Sequence, residues 1–566
     1  MGKFYISIIT RSLSFGSLLL SMKRLFLALL FFTTLAKAQS LVSYNLIASY
    51  TTDQIDSILS ANGIPGIILP SIYNVDVYKV VYNTLDQDSL PVIASGALFV
   101  PENPQCKVPL LSYQHGTILV KTEVPSTLND EEVIIGETSA SEGAVVAMPD
   151  YLGLGDSPGL HPYVHAETEA RATADLLVVS LQICDDLTVS RNGQLFLFGY
   201  SQGGHATMAA HQMIQQSYSS YFTVTASCPM SGPYDLSGVQ AQTITSNNPY
   251  PNPGYIPYLM FAYNNIYHLF SNDSDFLVHP YDSILPPLFD GTHEMDEVNA
   301  VMPDTPNKVI VPAVLDSFQT DTSYRMYHYL KLNDTYSWTP QNPIRMFYCE
   351  GDHDVNYQNA FVAYDHFITN GSTVISKMSS GANFDHDGCV FPSLLNAKYF
   401  FDSLRLDILK LNFDVVLASS ATASDGSLTV HAGSGFPPYT YLWSNGATDS
   451  TDANIPPGPY SVTVTDFTGC QASASLYLGV QVGENQVFVE QTSISPNPMH
   501  QMASIDLPMD GNYFIEIDDA SGRRISSDFF AGQKYILLRK NFASGIYYVK
   551  LQKSDGLPFV KMLIVE

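Results

Sequence analysis

The chain has 566 residues, too many for one hydrophobic core, and carries 26 Lys plus Arg against 54 Asp plus Glu, a net charge of −28. A phosphate backbone needs a basic footprint that this balance does not supply, so nucleic acid is excluded as the expected partner. Only 14% of residues are charged while 35 are Tyr, the composition of a hydrogen-bonding, aromatic surface common in secreted proteins.

The N-terminus agrees with that compartment. Met22-Lys23-Arg24 precedes an apolar run at 25–30, and Ala36-Lys37-Ala38 stands before Gln39 as a small-x-small cleavage site, so residues 1–38 read as a secretory signal peptide whose true start is Met22. A membrane anchor is the alternative, but the apolar run is interrupted and ends in the cleavage pattern. Six cysteines in an exported chain permit disulfides. Cys349 and Cys389 would flank the two loops on which the acid and base are placed below, and a bridge between them would tie those loops together; free buried thiols are the alternative.

From about residue 74 to 409 strands alternate with helices. Residues 75–82 and 92–100 have the alternation of antiparallel strands, whereas 108–113, 144–148, 194–200 and 224–228 are short apolar runs of the kind that form buried parallel strands. The segment 167–184 opens with acidic residues and repeats Ala170, Ala174, Leu177, Val178 and Leu181 at helical spacing. The expectation is an α/β fold, a doubly wound sheet with helices on both faces and its site at the carboxyl ends of the strands. Residues 237–342, rich in Tyr, Pro and Asn and then apolar at 258–270, break the rhythm and read as an inserted cap or lid.

The candidate chemistry centres on Gly199-Tyr200-Ser201-Gln202-Gly203-Gly204, which comes after the apolar strand 195–198 and precedes a helical segment at 205–216. A serine hydroxyl becomes a nucleophile when a base takes its proton, and a sharp turn flanked by glycines presents it to base and substrate together. The acid is expected on the loop after the strand 344–349, at Asp354, with Asp352 on the same loop as its rival; a helix at 359–368 comes next. The base is expected at His386, after the strand 373–378 and before the helix 393–404. His353 stands too close to the acid in sequence, and His205 and His211 read as packing or surface residues of the helix after Ser201. A developing oxyanion needs two preorganised N–H donors, and these are assigned to the backbone of Thr117, beside the small Gly116, and of Gln202, directly after the nucleophile. His115 reads as a brace of that loop.

Taken together, QHGT (114–117), DYLGLGDS (150–157), GYSQGG (199–204), GDHD (351–354) and DHDGC (385–389) make residues 74–409 resemble the α/β-hydrolase superfamily and its secretory lipase branch. The resemblance implies a catalytic domain over 39–410 that cleaves ester or lipid substrates through an acyl-enzyme, with no metal or organic cofactor. A serine peptidase or polysaccharide deacetylase on the same three residues is the alternative, and a surface adhesin with an inactive hydrolase domain is an alternative of another class.

Beyond 410 the pattern turns to short strands. PPYTYLWSNG (437–446) and GPYSVTVTD (458–466) resemble a SprB-type Ig-like repeat, assigned to 411–483 as a small β-sandwich. ISPNP (494–498), GIYYV (545–549) and KMLIV (561–565) resemble the C-terminal sorting domain of type IX secretion, assigned to 484–566. That likeness implies the type IX machinery as a partner and a secreted or cell-surface location.

Overall fold

A computed structural model of the chain describes residues 39–64, 69–321, 323–481, 491–519, 523–539, 542–553 and 558–565. Residues 1–38, which the sequence suggests as a signal peptide, lie outside them. The chain forms two compact units. The first reaches Leu409 and takes in Ser434–Phe436 and Thr468–Cys470, and the second comprises Lys410–Gly433, Pro437–Phe467 and the chain from Gln471 onward.

Among the described residues the first unit is built on nine strands: β1 (Ser40–Tyr50), β2 (Val75–Leu85), β3 (Pro91–Pro101), β4 (Val108–Gln114), β5 (Val145–Pro149), β6 (Arg191–Tyr200), β7 (Val224–Met230), β8 (Ile344–Cys349) and β9 (Ile375–Gly381). Their order is β1-β2-β3-β5-β4-β6-β7-β8-β9. The β1–β2, β2–β3 and β3–β5 pairs are antiparallel, and every pair from β5 to β9 is parallel. Because β4 lies between β5 and β6, the winding reverses there, which opens a crevice at the strands' carboxyl ends.

Central strands with both faces covered must be apolar throughout, and β4 and β5 are buried along their whole length. One face packs against the helices Ala166–Asp186 and Gln202–Ser217 through Ala170, Ala174, Leu177 and Ile214. The other meets the helices Val133–Ser141 and Val390–Leu404 through Ile135, Ala140, Ala397 and Phe401. The Phe401 ring lies 4.8 Å from that of Phe196 and 5.7 Å from that of Phe198.

The segment between β7 and β8 is mostly helical, with Tyr255–Tyr267, Met295–Val301, Pro312–Thr320 and Arg325–Leu332 among its helices. It has its own core, which includes Tyr258, Tyr263, Phe276, Val298 and Leu330 and also takes in Leu119, Tyr163 and Val164 from loops of the sheet. Cys349 and Cys389 are disulfide-bonded, as the sequence suggests, and so are Cys106 and Cys470; Cys184 and Cys228 are free and buried.

The second unit consists of small antiparallel sheets. Two three-stranded sheets, one including Gly426–Ala432 and the other Gly458–Thr465, share a core of Leu428, Val430, Trp443, Val462 and Val464. After them come the sheet containing Met502–Asp506 and a four-stranded sheet containing Asn512–Asp519 and Gly545–Lys553.

Candidate active site

Ser201 sits between the end of β6 and the helix Gln202–Ser217 with φ 59° and ψ −121°, a left-handed conformation that L residues avoid unless surrounding structure imposes it. The glycines show what imposes it. A Cβ on Gly199 would stand 2.4 Å from the Gly203 carbonyl oxygen, one on Gly203 1.8 Å from that of Gln114, and one on Gly204 2.5 Å from that of Met230. Side chains at these positions would drive the helix off β6 and its two neighbouring strands, so the close approach requires glycine.

The Ser201 hydroxyl lies 2.9 Å from His386 Nε2, and His386 Nδ1 lies 2.8 Å from Asp352 Oδ2. A carboxylate only accepts, so Nδ1 carries the proton and Nε2 is left to accept from the serine. All three residues are buried, with Ser201 8% exposed. The Tyr200 hydroxyl donates to the His386 carbonyl at 2.6 Å, and Cys389, three residues after His386, is bridged to Cys349 at the end of β8. Burial alone would lower the His386 pKa, but the bond from Nδ1 to Asp352 and the charges of Asp352, Asp354 and Asp387 outweigh it and raise it above the ordinary value.

The carboxylate facing His386 is therefore Asp352, and the expectation of Asp354 is corrected. Asp352 Oδ1 accepts the N–H groups of Asp354 at 3.0 Å and Val355 at 2.9 Å, a side-chain-capped turn that leaves Oδ2 free to face the imidazole. The same turn carries Asp354 away. Its Oδ1 accepts from the Asn252 side-chain amide at 3.0 Å, and its carbonyl accepts from the Tyr250 hydroxyl at 3.0 Å. Burial raises the Asp354 carboxyl, with the Asn252 bond acting against it.

The loop after β4 lies against the elbow, since the position of a Cβ on Gly203 is also 2.8 Å from the His115 carbonyl oxygen. His115 is fully buried, donates from Nδ1 to the Gly116 carbonyl at 2.8 Å and packs 4.3 Å from the Tyr151 ring, which fits a brace. Thr117 shares a hydrogen bond of 3.0 Å with the Tyr163 hydroxyl. Gln202 is the first residue of its helix, where an N–H has no acceptor within the helix. Its side-chain amide donates to His161 Nε2 and to Glu169 Oε1, both at 2.7 Å. His161 can accept because its Nδ1 donates to the Leu152 carbonyl at 2.7 Å and burial holds its pKa down to about 4, so the ring is neutral. Glu169 Oε2 also accepts from His205 Nδ1 at 2.7 Å, and His205 Nε2 donates to the Asn333 carbonyl at 2.9 Å. His205 is thus a packed, fully paired residue, and His211 is likewise fully buried with Nδ1 2.8 Å from the Ser227 hydroxyl.

Sequence reasoning misses Glu169, His161, Asn252 and Glu132, whose carboxyl accepts from Gly116. Glu169 reads as a first-turn acid that suits the helix dipole, and only the packing of Ala166–Asp186 against the elbow helix turns it inward. A cavity of about 40 Å³ opens beside Ser201 and Gln202. It is lined by Tyr163, Tyr255, Leu236, Ile244, Ile256 and Leu259 among others, and none of the lining residues is charged.

Residues 121–228 match the family profile of secretory lipases, residues 421–448 that of the SprB repeat, and residues 493–566 that of the secretion system C-terminal sorting domain. No curated protein matches the chain. Among solved structures it is similar to a Legionella pneumophila protein described as a hydrolase, with 29% identity, 65% of this chain and 100% of that chain covered, and a TM-score of 0.60. It is also similar to the rice cell wall degrading esterase LipA from Xanthomonas oryzae, with 26% identity, the same coverage of 65% and 100%, and a TM-score of 0.58. These likenesses support a hydrolase of the lipase and esterase kind. The first unit has the α/β-hydrolase fold and is similar to the secretory lipases, and segments that match the SprB repeat and the secretion system sorting domain come after it along the chain.

Proposed function

We propose that the protein is an exported serine esterase that hydrolyses carboxylic esters of short acyl chain through an acyl-enzyme on Ser201. The observation that carries this reading is the hydrogen-bonded series Asp352, His386, Ser201 at 2.8 and 2.9 Å on a strained elbow. Ser201 Oγ attacks the ester carbonyl carbon while His386 Nε2 takes its proton; the imidazolium, held by Asp352, returns that proton to the departing alcohol oxygen. Water repeats the sequence on the acyl-enzyme. The N–H groups of Thr117 and Gln202 are the donors for the oxyanion in both halves.

The cavity narrows the substrate. At about 40 Å³ it is small, which suits an acyl group of a few carbons. Its uncharged, aromatic and aliphatic lining favours an ester over a peptidase substrate with a charged side chain. Export is supported by the sorting domain at 493–566, and removing that segment should stop release from the cell without lowering the specific activity of purified enzyme.

The test is a rate comparison across p-nitrophenyl esters from acetate to palmitate, beside an aminoacyl anilide. The expected result is highest kcat/KM for the two- to four-carbon esters and negligible anilide cleavage. A preference for palmitate would overturn the short-chain reading, and anilide cleavage above ester cleavage would overturn the esterase.

A further inference from the structure

Glu132 lies in the acidic run Asp130-Glu131-Glu132, directly before the helix Val133–Ser141. An acid at a helix start ordinarily caps the first turn or faces solvent. Glu132 does neither. Its side chain makes no capping bond, and both carboxyl oxygens instead lie 3.2 Å from the N–H of Gly116. A Cβ on Gly116 would stand 2.9 Å from Oε1, so the small residue leaves the space that the carboxyl occupies. Gly116 is the residue before Thr117, and its N–H is therefore turned away from any substrate and into the protein.

We infer that Glu132 is a positioning residue for the oxyanion loop, a half-buried carboxyl that anchors the backbone at Gly116 and serves in its uncharged form. The inference rests on the reading of Thr117 and Gln202 as oxyanion donors. A carboxyl oxygen accepts the Gly116 N–H whether or not the group is ionised, so anchoring does not need the charge. An anion behind the loop, however, would oppose the negative charge that develops on the substrate oxygen.

The surroundings keep the group neutral at neutral pH. Burial comes first and repulsion by Asp130 second, and they push the Glu132 pKa up to about 8. The other groups that bear on it are Glu131 on its own segment, Tyr113 on β4, Tyr151 after β5 and, through Asp130, His115. Burial raises both tyrosines well above their ordinary value, so they stay uncharged, and it raises Asp130. Below about pH 8 Glu132 is therefore neutral and the loop is competent; above it the carboxylate forms and kcat falls.

The experiment compares wild type, Glu132→Gln and Glu132→Leu in the full chain on one soluble short-chain ester from pH 6 to 10. The amide of Glu132→Gln still offers a carbonyl to Gly116 and cannot ionise, so it should keep kcat within about threefold at pH 7 and lose the decline above pH 8. Glu132→Leu removes the acceptor and should lose about 10- to 100-fold in kcat with KM within about twofold, less than deletion of a whole oxyanion donor. An alkaline decline that persists unchanged in Glu132→Gln overturns the inference, as does a Glu132→Leu variant with full kcat. If Glu132→Leu does not fold, the wild type and Glu132→Gln profiles decide. Failure of the underlying reading is told apart by organophosphonate labelling. An unreactive Ser201 in wild type overturns both readings, whereas a labelled Ser201 without ester hydrolysis overturns only the substrate, and the comparison is then made on labelling rates.

Discussion

The elbow and the acid loop bear two members of the same candidate site, yet they are specified by different physics. At the elbow, added Cβ atoms at Gly199, Gly203 and Gly204 would meet backbone oxygens at 1.8 to 2.5 Å, so sterics allow one arrangement and mark it with glycines. On the acid loop, two chemically identical side chains flank His353, and both have hydrogen-bond partners. Only the turn that Asp352 Oδ1 makes with two N–H groups selects which carboxylate faces the imidazole. Exclusion by backbone contact leaves a trace in residue type, whereas choice between equal hydrogen-bonding groups does not.

Substitutions can break or sharpen that contrast. The largest effect is expected at the elbow: Ser201→Ala should lower kcat by a factor on the order of 10⁶, since it removes the hydroxyl that His386 Nε2 meets, and an organophosphonate should label Ser201 alone. Peptide mapping of the labelled protein checks this. Next comes the acid loop. Asp352→Asn reverses the hydrogen bond to His386 Nδ1 and should cost on the order of 10⁴ in kcat with KM roughly unchanged. Asp354→Asn retains an oxygen for loop bonding and should stay within about tenfold, because a single such bond contributes about 1 kcal/mol. Kinetics of both variants on one soluble ester check the pair, and if Asp354→Asn were the more damaged, the acid role would return to that residue.

A smaller effect lies in the pH profile. His386 must be neutral to accept the Ser201 proton, and its pKa is raised, so kcat/KM should fall as pH drops through a value above about 6.5, the ordinary one for histidine. In Asp352→Asn the residual activity should persist to lower pH, because the bond from Asp352 and its charge no longer raise the pKa and only Asp354 and Asp387 still do. An unshifted acid limb in that variant would show that Asp352 does not act on His386. The smallest effect on chemistry, though not on stability, is expected at the bridge between the two loops. Replacing Cys349 and Cys389 together by Ser opens a closure over a sequence separation of 40 and should cost about 4 kcal/mol by the chain-entropy account, read as a lower urea midpoint.

Much of the first unit is legible in its sequence. The strands from β4 to β9 emerge from apolar runs, the helices after β5, β6, β8 and β9 from helical spacing, and the run 344–349 coincides with β8, whereas the helix Val133–Ser141 and those between β7 and β8 are not read from the sequence. The pairing of Cys349 with Cys389 is suggested by the placing of the acid and base loops. The features that escape share one cause, the dependence of burial on distant partners. β1 carries the exposed residues Val42, Leu46 and Ile47 and joins the sheet through its backbone pairing with β2, so no clean alternation announces it. Glu132 and Glu169 look like solvated acids in their local sequence, and they become a half-buried and a fully buried hydrogen-bonding group only when a loop from β4 and a second helix are laid over them.

The bond from Tyr200 to the main chain at His386 has a dynamic consequence. Tyr200 directly precedes Ser201, and its hydroxyl holds the carbonyl of His386, so a fluctuation that frees one loosens the other. In the language of local unfolding, the end of β6 and the segment 386–389 belong to one cooperative unit, closed further by the Cys349–Cys389 bridge. On warming, serine reactivity and amide protection in that segment should disappear together, in a single transition rather than in two.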